Sequence, residues 1–168
     1  MAIAPELVLA IDVGGTRMKG AVVDAATRVV HEQTRPTPRA GGPDAVVDAV
    51  AAFAEELAEL GGEAVAAAGV VVPGIVDEDT GMAVLSANLG WQGLPLRAVL
   101  DARLAMPLAF GQDVRAGGLA EARMGAARGA RNALFVPVGT GIAAALVLDG
   151  RPVSSGGFAG EIGHLVCR

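Results

Sequence analysis

The chain opens on an apolar run, Leu7-Val8-Leu9-Ala10-Ile11, which stops at Asp12 and turns through Gly14-Gly15-Thr16. Unbroken apolarity at this length predicts a strand over 7–13 that is buried on both faces. Met18 to Val23 gives a second strand. Val29 to Thr34 gives a third, with polar alternation, and the short turn-rich connections predict a β-meander. "RPTPRAGGPD", residues 35–44, interrupts the pattern with proline and glycine and reads as loop. From 44 to 60 the apolar positions Val46, Val47, Val50, Phe53, Ala54 and Leu57 recur at helical spacing. Pro43 and Asp44 suit the start of that helix, and Gly61-Gly62 its end.

"AVAAAGVVVPG", residues 64–74, predicts a buried strand stopped by Pro73-Gly74. Residues 75–91 carry little periodicity and read as mostly loop, with room for a hairpin. Pro95 to Leu104 reads as helix, 106–113 as a short strand ending in an acid, and 114–127 as helix despite Gly117-Gly118. Residues 132–141 and 142–150 pair as strand–turn–strand, and 151–168 form a glycine-rich tail. A glycine turn between two apolar strands therefore occurs twice, once near 14 and once near 140. That repetition predicts two α/β lobes, an N-terminal one over 1–112 and the start of a second over 113–168.

Composition narrows the function classes. The 168 residues carry a net charge of −5 with no basic stripe among aromatics, so a nucleic-acid partner is not expected. Mean hydropathy is +0.50, yet no stretch reaches the ~18 apolar residues of a membrane helix, so no membrane partner is expected either. The N-terminus shows no secretory signal pattern, and a lone cysteine, Cys167, excludes an internal disulfide; both fit the cytoplasm.

The two glycine turns carry the candidate chemistry. Gly14, Gly15 and Thr16 in the first, and Gly139, Thr140 and Gly141 in the second, would let backbone N–H groups approach a phosphate closely. Lys19, the only lysine in the chain, would add positive charge. Asp12 would repel a phosphate directly but could hold it through Mg²⁺ or its waters. Taken alone, the first stretch is better explained as a hairpin turn beside an exposed acid, and the Gly-Gly pair by itself favours that reading. The Walker A spacing is absent, and a Rossmann loop would have to open a helix, whereas "MKGAVV" reads as strand.

Taken in order, "DVGGTRMKGAVVD", "VVPGIVD", "SANLGW", "QDVRAGGLAEARMGAARG", "PVGTGIAAALV" and "GGFAGEIGH" resemble the ROK family of repressors and sugar kinases. That family belongs to the hexokinase, actin and heat-shock ATPase superfamily. The resemblance implies an actin-like (ribonuclease H-like) α/β ATPase fold in two lobes, the second incomplete. It implies ATP-dependent phosphorylation of a hexose, as in bacterial glucokinases, with ATP and Mg²⁺ at the two glycine loops. Asp113 resembles the base that deprotonates the sugar hydroxyl. Asn88, Glu161 and His164 resemble sugar ligands, and in many members that histidine also binds a structural zinc.

The chain departs from the family pattern at Gln112, where asparagine is usual before the aspartate, and at Arg115, where a second asparagine is common. Gln112 stands as a sugar ligand of altered reach. The sequence stops soon after "EIGH", before the cysteine-rich zinc loop of ROK kinases, so zinc is expected only in a longer chain. Cys167 is too near His164 to match that loop. Strands left uncovered in the second lobe predict a homo-oligomer or a continuation of the chain. Three other readings stay open: a sugar-sensing ROK regulator, an inactive sugar-binding fragment, and a kinase using polyphosphate. Such regulators carry a helix-turn-helix ahead of the first loop, and here that loop begins almost at once.

Overall fold

The computed structural model describes residues 6–139 and 141–164, with His164 described by its backbone alone. Strands β1 (Leu7–Val13), β2 (Arg17–Asp24) and β3 (Val29–Pro36) form the antiparallel meander. Helix α1 (Gly42–Gly61) then returns the chain to β4 (Val65–Val72), parallel to β1. A three-stranded antiparallel sheet follows, made of β5 (Ile75–Asp77), β6 (Met82–Ser86) and β7 (Trp91–Leu94). Helix α2 (Leu96–Arg103) leads into β8 (Leu108–Gln112), which lies parallel to β4 and completes a sheet of order β3-β2-β1-β4-β8.

The core lies on one face of this sheet. Leu9, Ile11, Val13, Met18, Val22, Val70 and Val72 are at most 2% exposed and meet Val46, Val50, Phe53 and Leu57 of α1 and Leu96 and Leu100 of α2. The expectation that β1 is buried on both faces is corrected. Its residues alternate, and Val8 is 38% exposed. The register explains how so apolar a strand can be one-sided. On the opposite face Ala21, Ala10, Gly69 and Ala109 stand in one row across four strands. These residues are small enough to expose little apolar area, so the run reads as apolar while half of it faces outward.

The stretch 75–91, expected as mostly loop with room for a hairpin, carries the β5–β6 hairpin, and β7 begins at its last residue to complete a three-stranded sheet. Its strands run to three, five and four residues, too short to display a period. Trp91 is 1% exposed and its indole N–H donates to the Pro43 carbonyl at 3.2 Å, fastening this sheet to the start of α1.

Beyond β8, helix α3 (Asp113–Met124) packs on a third sheet, ordered β11-β10-β9, formed by β9 (Asn132–Phe135), β10 (Ala145–Leu148) and β11 (Arg151–Pro152). The β9–β10 pairing is shorter than the sequence pattern predicts, with an isolated bridge between Val138 and Ile142. Leu134 and Leu146 sit opposite each other on the sheet face away from α3, at 62% and 38% exposure. No helix of the described residues is long and apolar enough to cross a membrane.

Candidate functional site

The parallel strands β1, β4 and β8 all end at the same edge of the main sheet. Carboxyl ends of parallel strands are where open α/β sheets gather ligands. Asp12 is the penultimate residue of β1, and Asp113 follows β8 directly. By register Asp12 pairs with Val71 and Val71 with Gly111, so the rows of Asp12 and Gly111 are two strand spacings apart. That is about 10 Å.

The first glycine loop is a tight β1–β2 connection in which the Gly14 N–H donates to the Arg17 carbonyl at 2.9 Å. It is also tied to the segment after β3. The Thr37 hydroxyl donates to the Gly14 carbonyl at 2.7 Å, and the Thr37 N–H donates to the Thr16 carbonyl at 2.9 Å. The N–H groups of Gly15 and Thr16 donate to no protein acceptor among the described residues. The loop thus offers unpaired donors of the kind a phosphate needs. Lys19 lies directly across the β1–β2 ladder from Asp12. Asp12 is exposed, yet desolvation by the surrounding chain raises its pKa, and the Lys19 charge works against that rise.

Asp113 is the first residue of α3 and is half-buried. Read in isolation, an acid here would be a helix N-cap, but that position belongs to Gln112. The Gln112 Oε1 accepts the Arg115 N–H at 2.8 Å, and the side chain is 4% exposed. The Asp113 carboxylate instead accepts the N–H of Val114 at 2.8 Å. Burial is the main cause that raises its pKa; the Val114 N–H opposes this, and the negative charges of Asp12 and then Glu161 add to it. Two carboxylates from separate parts of the chain, Asp12 and Glu161, therefore act on Asp113. Among the described residues no three His, Cys, Asp or Glu side chains converge closely enough to hold a metal unaided. A magnesium ion at Asp12 would accordingly take most of its ligands from phosphate and water, which is its ordinary preference.

Asn88 lies in the β6–β7 turn, against the first glycine loop. A Cβ placed on Gly15 would come within 3.2 Å of the Asn88 Cβ, so only a glycine leaves this approach comfortable. Glu161 is held beside the start of β10, where the Ala144 N–H donates to the Gly160 carbonyl at 2.8 Å. Gly139 and Gly141 of the second loop close on each other through a 3.0 Å hydrogen bond and face open space. Thr140, the His164 side chain and Cys167 lie outside the described residues.

Sequence reasoning missed two contributors. Glu78, just past β5, accepts both the Gln112 N–H at 3.0 Å and the Arg115 Nε–H at 3.1 Å. Arg115, noted only as a departure from the family, is 2% exposed and also donates to the Val76 carbonyl at 2.6 Å and the Gly157 carbonyl at 3.2 Å. One guanidinium thereby joins β5, α3 and the segment leading to Glu161. The only sequence signal was an arginine two positions after the aspartate; its partners are 37 to 42 residues away along the chain.

A model of the ROK family matches residues 8–168. The chain is 32% identical over 161 residues to a glucokinase of Streptomyces coelicolor, covering 95% of this chain and 49% of that protein. It superposes with a TM-score of 0.84 on a ROK family glucokinase from Streptomyces griseus in complex with glucose and AMPPNP, at 28% identity, covering 95% of this chain and 50% of the other. An inorganic polyphosphate/ATP-glucomannokinase from Arthrobacter sp. strain KM gives a TM-score of 0.80 at 35% identity, covering 96% and 64%. The chain thus spans about half the length of the first two proteins. Its architecture is part of the actin-like ATPase fold of these sugar kinases.

Proposed function

This chain belongs to the ROK family, and from that premise we propose that it is the part of a sugar kinase that carries the catalytic base and the first phosphate loop. The reaction is transfer of a phosphoryl group from ATP to a hexose hydroxyl, with glucose as the reference substrate. The single observation that carries this reading is Asp113: a half-buried carboxylate of raised proton affinity, at the end of a parallel strand and within the fields of Asp12 and Glu161.

Phosphoryl transfer rests on positioning and charge neutralisation more than on covalent chemistry. Mg·ATP, when bound, supplies the phosphoryl group and offsets its charge. The Gly15 and Thr16 N–H groups donate to phosphate oxygens, with Lys19 and the Gly139–Gly141 turn assisting. Asp12 holds magnesium through water or phosphate. Asn88, Glu161 and His164 orient the sugar hydroxyls. Asp113 accepts the proton of the attacking hydroxyl, a role that needs a carboxylate whose pKa approaches working pH. Gln112 serves Asp113 by capping α3 rather than by reaching the sugar. The lobes divide at 112/113, the protein works in the cytoplasm, and the apolar face around Leu134 and Leu146 is covered by a second copy or by further chain.

The test is turnover by the full-length protein on a hexose panel, with ATP and with polyphosphate as donors, beside Asp113→Asn. General base catalysis is worth about 10²- to 10⁴-fold, so Asp113→Asn should lose that much turnover while calorimetry still detects sugar binding. Sugar binding without turnover by the parent would instead identify a sensing protein. Equal turnover by parent and variant would remove Asp113 from the reaction.

A further inference from the structure

We infer that Thr37 is a positioning residue for the first phosphate loop: it grips the loop from behind and aims the Gly15 N–H at the ligand. The inference rests on the kinase reading above and adds a residue outside every glycine motif.

The segment Pro36-Thr37-Pro38 follows the last residue pair of the meander, where Arg17 pairs with Pro36. Neither proline has an N–H, and each fixes its own φ. The second also restricts Thr37 to extended backbone. Thr37 is therefore the one backbone donor on a stiff strap, and it spends that donor on the Thr16 carbonyl at 2.9 Å. Its hydroxyl goes to the Gly14 carbonyl at 2.7 Å, and the residue is 8% exposed. One side chain and its own amide thus hold the carbonyls on either side of Gly15.

The consequence follows from peptide geometry. The Gly14 carbonyl and the Gly15 N–H belong to the same planar trans unit and point in opposite directions. Fixing the carbonyl on Thr37 directs the Gly15 N–H away from the strap, to the side where it meets no protein acceptor among the described residues. A glycine pair left to itself would sample many orientations. Donors already aimed spare the ligand the ordering cost of a loose loop. Thr37 touches no ligand in this scheme and acts through Gly14.

The experiment uses the full-length protein with Thr37→Val, which keeps the shape and removes the hydroxyl, and Thr37→Ser, which keeps the hydroxyl. The dissociation constants for Mg·ADP and for glucose are measured by calorimetry without turnover, beside the thermal midpoint of each variant. The expected result is Mg·ADP binding about tenfold weaker in Thr37→Val, about one neutral hydrogen bond's worth. Glucose binding stays unchanged and Thr37→Ser remains within about twofold of the parent. Unchanged Mg·ADP affinity in a folded Thr37→Val overturns the inference. So does an equal loss of both ligands, which would make Thr37 a general structural residue. So does a Thr37→Val that fails to fold beside a Thr37→Ser that folds and binds Mg·ADP as weakly as a loop without the grip. A parent that binds no Mg·ADP overturns the kinase reading itself, a separate outcome.

Discussion

Arg115 donates to Glu78 at 3.1 Å while its own side chain is 2% exposed and that of Glu78 is 30% exposed. The pair is asymmetric: one charge is out of water and the other is partly in it. The buried partner cannot be removed cheaply, because two backbone carbonyls, of Val76 and Gly157, depend on it as well.

Arg115→Met should therefore destabilise the fold. Each buried acceptor left without a donor costs about 1–3 kcal/mol, and water recovers part of the share belonging to Glu78. A net loss of about 2–4 kcal/mol is expected in urea titration. A loss below about 1 kcal/mol would mean that the guanidinium contributes little to joining β5, α3 and the Gly157 segment.

Asp113 should trade stability for chemistry. Its native pKa is raised, chiefly by burial. The native chain then keeps the proton at pH values where the unfolded chain has released it, and stability falls as pH rises through the native value. Asparagine cannot ionise. Asp113→Asn should melt above the parent at pH 7, and the gap should close as pH falls below the unfolded carboxylate value of about 3.9. Melting curves across pH decide it. A gap that is absent or independent of pH would count against an ionised, half-buried carboxylate.

Asp12 should fail differently. Asp12→Asn removes a charge that faces Lys19 across the β1–β2 ladder. In the full-length protein it should raise the magnesium concentration needed for half-maximal turnover at fixed ATP, and leave glucose affinity as it was. Titrating magnesium into both proteins reads this directly. An unchanged magnesium requirement would reduce the Asp12 loop to a hairpin.

Gly160 and Gly150 provide a controlled comparison near the glycine-rich tail. Both have positive φ, at 96° and 74°. A Cβ on Gly160 would lie 1.8 Å from the Ala144 carbonyl oxygen, whereas one on Gly150 would meet nothing within 4 Å. Gly150→Ala should cost only the backbone term, about 1–2 kcal/mol. Gly160→Ala must also displace the segment that carries Glu161, and its loss of stability should be at least twice as large by thermal denaturation. Equal losses would mean that the tail yields without resistance.

The legible parts of the sequence were those governed by local pattern. Helix α1 announces itself through Val46, Val50, Phe53 and Leu57, and the meander through its short turns. The positions of Asp12 and Asp113 at strand ends follow from where apolar runs stop. What stayed hidden depends on partners far along the chain. Nothing around Thr37 names Gly14, 23 residues earlier, as its acceptor. Nothing around Arg115 points to Glu78, and the capping role of Gln112 competes with the sugar contact that its position implied. The two-sided burial assigned to β1 failed for a different reason: an alanine facing solvent and an alanine facing a core look the same in a hydropathy pattern.

The chain contains one tryptophan and no tyrosine. Trp91 is buried, fixed by its indole N–H to Pro43, and three residues beyond Asn88. Nearly all the ultraviolet emission of these residues comes from that one indole, at the joint between the turn carrying Asn88 and the helix behind the first glycine loop. Its emission maximum and quenching by iodide give an optical record of whether that joint stays closed. A sugar that draws the Asn88 turn inward registers there without any label.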